Sequence, residues 1–272
     1  MTLKKVNDIA RYQEIVEQYK RKGALTNDYL YAEVEGLTAQ GQLYEYCGEE
    51  NAYLFVRKDE CLRVYYYLND LTETLDFALD ENLVVEILFR GSLGTPDAEI
   101  DYLTRCGFSA HLRRDQYSAM HKGLVGADAS ERRNFVVCKA QTAEEVAQAC
   151  DLFNSSFDHY SGDYISKEME LQLFTGGNIL VATDIAGHFT GALHQTIEKG
   201  VAWISHVAVL PEYRGHGVGK ALMEAYIEQN YHDEKSRYML WVQALNEPAV
   251  RMYQQKGFKY TGKSTMSMLK LK

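Results

Sequence analysis

Cationic excess, paired cysteines and long apolar runs are all missing from this sequence, and each absence removes a class of protein. Among 272 residues there are 29 lysines and arginines against 38 aspartates and glutamates, a formal net charge of −9 at pH 7. Nonspecific nucleic-acid binding depends on cationic surface, so no nucleic-acid partner is expected. No run of about 18 apolar residues occurs, so no membrane span or membrane partner is expected. The N-terminal Met1-Thr2-Leu3-Lys4-Lys5 has Asn7 and Asp8 close behind it rather than an apolar signal core. Cys47, Cys61, Cys106, Cys138 and Cys150 form an odd, scattered set. Such a set in an unexported chain predicts reduced thiols and a cytoplasmic location. The sequence also lacks a His-Glu-x-x-His helix, a Gly-x-Ser-x-Gly elbow and a Cys-x-x-Cys pair. Its eight histidines show no metal-ligand spacing, so no metal site is expected.

What is present is an ordinary hydrophobic content of 46% and a length comfortable for two domains. The chain is organised around one stretch. A continuous apolar strand, Val201 to Leu210, is cut by Pro211, and the chain crosses Gly215, Gly217 and Gly219 into a helix with apolar Leu222, Met223, Tyr226 and Ile227. A strand that runs through glycines into a helix start presents unpaired backbone N–H groups at the positive end of the helix dipole, a cradle for phosphate. Two familiar cradles do not fit. A P-loop needs glycine where Arg214 stands and Ser or Thr where Ala221 stands, and a dinucleotide fingerprint from Gly215 needs glycine at Lys220.

The pattern that remains is Arg214-x-x-Gly217-x-Gly219. It resembles the pyrophosphate-binding motif of the GCN5-related N-acetyltransferases, the GNAT family. A second signature follows: a buried strand from Tyr238 to Leu245, Asn246 as an N-cap, Pro248 in the first helical turn, a short helix with Arg251, Met252 and Tyr253, then Gly257-Phe258. The resemblance implies an α/β (α+β) fold of two GNAT-like domains in tandem, each a mixed, mostly antiparallel sheet flanked by helices. It also implies acyl transfer from a coenzyme A thioester to an amine, with acetyl-CoA as donor.

It implies residue roles as well. Val207, Ala208 and Val209 would hold the pantetheine arm through main-chain groups. The N–H groups of Arg214, Gly215, His216, Gly217, Val218, Gly219 and Lys220 would wrap the pyrophosphate. The Arg214 side chain either adds a charged contact or caps the turn, while His216 and Lys220 contribute a backbone N–H or an exposed charge. Asn246 matches a residue that contacts pantetheine, besides capping its helix. Tyr253 lies seven residues after Asn246 and four before Gly257. Its phenol, with a reference pKa of about 10, can protonate a departing thiolate. The resemblance does not single out the base that takes the amine proton. His206 lies on the central strand with a suitable pKa range. His194, Glu198, Asp158 and Asp163 compete, and His159, Tyr160 and Tyr164 are candidates to line the acceptor side. The acidic balance favours a cationic acceptor such as an amine.

The remaining elements follow that order twice. In the second half, strand Phe135–Lys139 leads to a helix capped by Thr142 with Glu145 in a capping box. An antiparallel pair, 178–183 and 188–197, comes next. In the first half, a helix starts after Asn7, a second covers part of 27–36, and strands 52–57 and 62–68 join through Lys58-Asp59-Glu60. A helix over 71–79, strand 83–89, a helix between Pro96 and Gly107-Phe108, and a strand within 110–120 complete it. Where this copy should have a phosphate turn it has Tyr67-Leu68-Asn69-Asp70-Leu71, without glycine and with a like charge. The expected division is a degenerate domain 1–125, a linker 126–133 and an acetyltransferase domain 134–272. A coenzyme A-binding module without turnover, or transfer of a different acyl group such as succinyl, are the alternatives.

Overall fold

A computed structural model describes residues 1–27, 29–58, 61–125, 134–161 and 164–272. The elements in chain order are β1 (Lys4–Lys5), α1 (Ile9–Tyr19), β2 (Leu25–Thr26), α2 (Val34–Ala39), β3 (Leu43–Cys47), β4 (Ala52–Lys58), β5 (Cys61–Leu68), β6 (Asn82–Phe89), α3 (Asp97–Arg105) and β7 (Ser109–Met120). They continue with β8 (Phe135–Lys139), α4 (Ala143–Ser156), α5 (Lys167–Gly176), β9 (Ile179–Asp184), β10 (Phe189–Glu198), β11 (Val201–Val209), α6 (Val218–Gln229), β12 (Arg237–Gln243), α7 (Glu247–Gln255) and β13 (Lys259–Lys270). No helix among the described residues is long and apolar enough to cross a membrane.

The compact units are Met1–Arg113 with Lys263–Lys272, and Arg114–Gly262. They depart from the expected boundaries 1–125 and 134–272, and strand pairing gives the reason. In the first unit, residues 264–270 of β13 pair antiparallel with β6, Ser264 opposite Phe89 and Lys270 opposite Leu83. In the second, residues 114–120 of β7 pair antiparallel with β12, Arg114 opposite Gln243 and Met120 opposite Arg237. Each unit is thus closed by a strand from beyond the boundary that the sequence order suggests. The expected linker 126–133 lies outside the described residues, as does the turn at 59–60.

Both units share one strand order. In the first, β3, β4 and β5 are antiparallel and β5 and β6 parallel. In the second, β8, β9, β10 and β11 are antiparallel and β11 and β12 parallel. Helices cover both faces of the second sheet. Leu222, Met223 and Tyr226 of α6 and Tyr253 of α7 pack on one face with Leu193, Ile204 and Leu240. Val146, Cys150 and Phe153 of α4 and Leu173 of α5 pack on the other with Val181, Ala192 and Ala208.

Local chemistry sets the helix starts. Thr142 caps α4 in a reciprocal box with Glu145. Asp8, not Asn7, caps α1 by accepting from the Arg11 N–H. The second helix begins only at Val34, after a 3₁₀ turn at Leu30–Ala32.

No helix forms over 71–79, although Leu71, Leu75 and Leu79 have helical spacing. The amides of Asn69 and Asp70 donate to the Asn51 side-chain oxygen at 2.8 and 3.0 Å, and the Asp70 carboxylate takes the Thr72 amide at 2.7 Å. Phe77 is driven into the core against Tyr53 and Phe108. These tertiary anchors outweigh a short stretch of propensity.

The first unit also fills its own fork. Parallel pairing of β5 with β6 ends at Val64 opposite Val85. Just past that point β2 adds to β5, Leu25 opposite Leu68 and Thr26 opposite Tyr67. The buried Asn27 amide bridges the two strands, donating to the carbonyls of Val64 (3.1 Å) and Glu86 (3.0 Å) and accepting from the Tyr66 N–H (2.8 Å).

Candidate active site

The second unit has the same fork with a different end. β11 pairs with β12 from Val201 opposite Arg237 to Ile204 opposite Leu240, and there the pairing stops. β11 runs on to Val209 along β10, while β12 runs on to Gln243 along β7. Val207, Ala208 and Val209 therefore lie past the point of separation, with one backbone edge bonded to β10 and the other turned to the fork. An extended ligand can add to such an edge through main-chain hydrogen bonds.

β10 and β11 do not pair in simple register. His194 faces His206, but Gln195 faces Ile204, so Ser205 is an extra residue, a β-bulge. The bulge changes the phase of the strand. Ala202 and Ile204 pack on the α6 face together with Val207 and Val209, whereas Ala208 packs on the α4 face. His206 goes with Ala208: its ring stacks on Phe153 of α4 (centroids 5.2 Å apart, 28° between planes) and meets the edge of Phe157 at 5.0 Å.

Gly191 of β10 leaves no room for a side chain against β11. An ideal Cβ there would fall 2.7 Å from the Ala208 carbonyl oxygen and 3.2 Å from Val218. Sequence reasoning passed over Gly191, because nothing local marks it. Gly191→Ala is expected to lower stability by about 1–3 kcal/mol through overpacking. A thermal melt checks this, and an unchanged melting temperature would mean the strands yield freely.

After β11 the chain turns through a 3₁₀ segment, Pro211–Tyr213, and reaches α6 through Gly215 (φ +81°) and Gly217 (φ +96°). An added Cβ at either would meet nothing within 4 Å, so these glycines serve the left-handed backbone and leave the space above the turn open. Gly219 has a different reason: a Cβ there would lie 3.3 Å from the Met252 sulfur, so it lets α6 approach α7.

The seven expected amides are not equivalent. Those of Arg214 and His216 close the turn on the carbonyls of Pro211 (3.2 Å) and Tyr213 (3.3 Å). Those of Gly215, Gly217, Val218 and Gly219 have no acceptor among the described residues, and Gly217 offers α6 no side-chain cap. The Arg214 side chain folds back, its Nε donating to the Val209 carbonyl at 3.1 Å, which is the turn-capping role. His216 is exposed and Lys220 half-buried.

Asn246 caps α7 by accepting from the Ala249 amide at 3.3 Å, with Pro248 in the first turn. Tyr253 is buried in the α6–α7 cluster, 6.0 Å from the Phe258 ring, and burial holds its phenol well above the ordinary tyrosine value. The C-terminal end of α7 is tied to α6 by a buried ion pair, Lys256 Nζ to Glu224 Oε1 at 2.6 Å, which sequence reading did not find.

Among the candidate bases the structure brings two together. His194 and His206 are both buried, their rings nearly parallel at 5.3 Å and their Nδ1 atoms 3.1 Å apart. Burial first, and then the neighbouring His206, pull the His194 pKa down to about 3. Glu198 sits opposite Val201, at the end of the hairpin away from the fork. Asp158 accepts the Tyr160 amide at 2.6 Å, and the His159 ring lies against Tyr164. Asp163 lies outside the described residues.

Residues 145–258 match the model of the acetyltransferase (GNAT) family. A GCN5-related N-acetyltransferase from Sphaerobacter thermophilus superposes with a TM-score of 0.63 at 14% identity, over 99% of this chain and 95% of that one. An acetyltransferase of the GNAT family from Colwellia psychrerythraea does so with 0.55 at 11% identity, over the whole of both chains. A tandem GNAT protein from the clavulanic acid biosynthesis pathway gives 0.51 at 12% identity, over 84% of this chain and 82% of that one. At these identities the likeness is one of fold. No curated protein matches the sequence. The chain has the fold of two GNAT-like domains in tandem.

Proposed function

We propose that the protein is an acyl-CoA-dependent N-acyltransferase whose donor is acetyl-CoA, whose acceptor is an amine and whose site is the second unit. The observation that carries this is the fork between β11 and β12 ending at a glycine turn with four unbonded amides at the start of α6. The fork edge at Val207–Val209 suits the pantetheine arm. The amides of Gly215, Gly217, Val218 and Gly219, at the positive end of α6, suit the pyrophosphate.

In the reaction the neutral amine nitrogen attacks the thioester carbonyl carbon, a C–N bond forms and the C–S bond breaks. His206 takes the proton the nitrogen sheds, directly or through water. Tyr253 gives one to the departing sulfur, so an amide and a free thiol result. Holding the two reactants side by side supplies much of the rate, because it replaces a bimolecular encounter by a positioned one. The raised phenol value keeps Tyr253 protonated at neutral pH, as a donor must be. One observation favours the alternative of a binding module without turnover: the same burial restricts access to the phenol. Thiol release separates the two readings.

The first unit holds no coenzyme A in this proposal. Its fork is occupied by Leu25–Asn27, its turn amides are bonded to Asn51, and no helix stands where α6 stands in the second unit. Titration calorimetry of the full chain with acetyl-CoA is expected to give one equivalent per chain. Two equivalents would return the first unit to the binding function, and no heat would remove the transferase reading. Release of free thiol on adding polyamines, amino acids, aminoglycosides or short peptides then tests the chemistry.

A further inference from the structure

The chain has two tryptophans, and the sheet of the second unit places both on one face. Trp203 of β11 stands opposite Met239 of β12, one residue before their pairing ends. Trp241 is the first residue of β12 past the point of separation. Their strand neighbours Ala202, Ile204, Tyr238, Leu240 and Val242 all belong to the cluster under α6 and α7. By alternation Trp203, Met239 and Trp241 face the other way, the way His206 faces α4.

The helices on that side do not reach this strip. The cluster that α4 and α5 form with the sheet takes in residues of β9, β10 and β11 but, among the described residues, none of β12 or β7. Trp203, Met239 and Trp241 are half-buried. Neither indole stacks on a described aromatic ring, and neither indole N–H has a hydrogen-bond partner among the described residues. Tyr226, on the opposite face, shows what a core aromatic does: its ring meets Tyr238 and its hydroxyl donates to the Ala202 carbonyl at 2.7 Å. On β7, Gln116 stands opposite Trp241 and Ser118 opposite Met239. The strip is therefore flat, apolar and polarizable, with neutral polar groups along one side, and none of these five residues carries a carboxylate.

The two faces of the fork divide the reactants. On the α6 face Val207, Val209 and Val242 pack in the cluster that contains Tyr253, the proposed donor to sulfur. That leaves the α4 face to the amine. We propose that Trp241, Trp203 and Met239 form the acceptor subsite, and that the acceptor is a primary amine joined by a short chain to an aromatic ring. This rests on the reading of the fork as the acyl-transfer site. The two indoles are two residue steps apart on neighbouring strands, about 8 Å between Cα atoms from strand rise and spacing. Such a span suits one aromatic ring with its amine arm pointing to the fork. A linear polyamine finds no carboxylate on the strip, and a small aliphatic amine leaves the indoles uncovered.

Two measurements on the full chain test this. In the first, thiol release from acetyl-CoA is compared for phenethylamine, propylamine and spermidine. Phenethylamine is expected to have the highest kcat/KM, exceeding that of propylamine about 10–10²-fold, as burial of a phenyl group gives. Trp241→Ala is expected to bring that ratio close to one, and Trp241→Phe to restore most of it. A merely structural role for Trp241 would lower both rates together and keep the ratio, which would overturn the proposal. So would a higher kcat/KM for propylamine or spermidine than for phenethylamine.

The second needs no turnover, because the two tryptophans report on the strip themselves. Quenching of indole fluorescence by acrylamide is followed as phenethylamine is added, with and without coenzyme A. Phenethylamine is expected to protect both rings in the wild type, and Trp241 alone in Trp203→Phe, while propylamine gives no protection. Unchanged quenching under both conditions would overturn the proposal. If no amine yields thiol from the wild type, the function proposed above fails, and the quenching result still decides whether the strip takes an aromatic amine.

Discussion

Replacing Tyr253 by phenylalanine is expected to lower kcat by about 10²–10⁴-fold, the range general acid catalysis contributes, while acetyl-CoA affinity stays close to that of the wild type. That corresponds to about 3–5 kcal/mol of transition-state stabilisation. The expectation separates chemistry from packing because phenylalanine keeps the ring that contacts Phe258 and the α6 core. Only the hydroxyl is lost. With the acid gone, the thiolate must leave unprotonated or take its proton from water. Because burial raises the phenol value, the tyrosinate left after proton transfer is costly and must be reprotonated quickly. Turnover should therefore fall without a matching rise in KM, the sign of an interaction made only in the transition state. The checks are steady-state thiol release and titration calorimetry on the same preparation. Unchanged turnover would take Tyr253 out of the mechanism. Weakened binding with unchanged kcat would make it a packing residue.

How much of this was legible beforehand follows from the range of the forces involved. The second unit could be read because its decisive features are local. Pro211 ends a strand, Gly215 and Gly217 take positive φ, Thr142 and Glu145 form a reciprocal cap, and Asn246 with Pro248 starts a helix. Each is chemistry within a few residues.

The misread places are those where a distant partner decides. The leucines at 71, 75 and 79 have helical spacing, but Asn51, two strands earlier, holds the amides of Asn69 and Asp70 just ahead of that stretch. The bulge at Ser205 exists only as a mismatch with β10. The pairing of β13 with β6 joins the end of the chain to its first half, and sequence order alone favours the neighbouring copy. The contact between the two histidines is of the same kind, since each residue looks like an ordinary strand histidine until the register is known.

The buried ion pair between α6 and α7 leads to the largest stability effect. Lys256→Ala is expected to destabilise the protein by about 3–5 kcal/mol, because it strips the cation from a buried carboxylate. Lys256 Nζ and Glu224 Oε1 are 2.6 Å apart, and their side chains are only 10% and 5% exposed, so water cannot readily take the place of the lost ammonium. Surface pairs in this chain carry no such expectation: Arg251 and Glu247 are 2.5 Å apart but 69% and 73% exposed, and pairs of that kind contribute about 0–1 kcal/mol. The position of the pair adds a functional consequence. It joins the helix whose first turn offers the free amides to the helix that carries Tyr253. Loosening it should therefore also weaken acetyl-CoA binding. Replacing both residues by methionine removes the charges together and is expected to recover much of the lost stability, since matched apolar groups often substitute for a buried pair. Urea denaturation of the two variants beside the wild type is the test. A Lys256→Ala midpoint equal to that of the wild type would mean that the carboxylate is solvated, and that the two helices are held by their apolar faces alone.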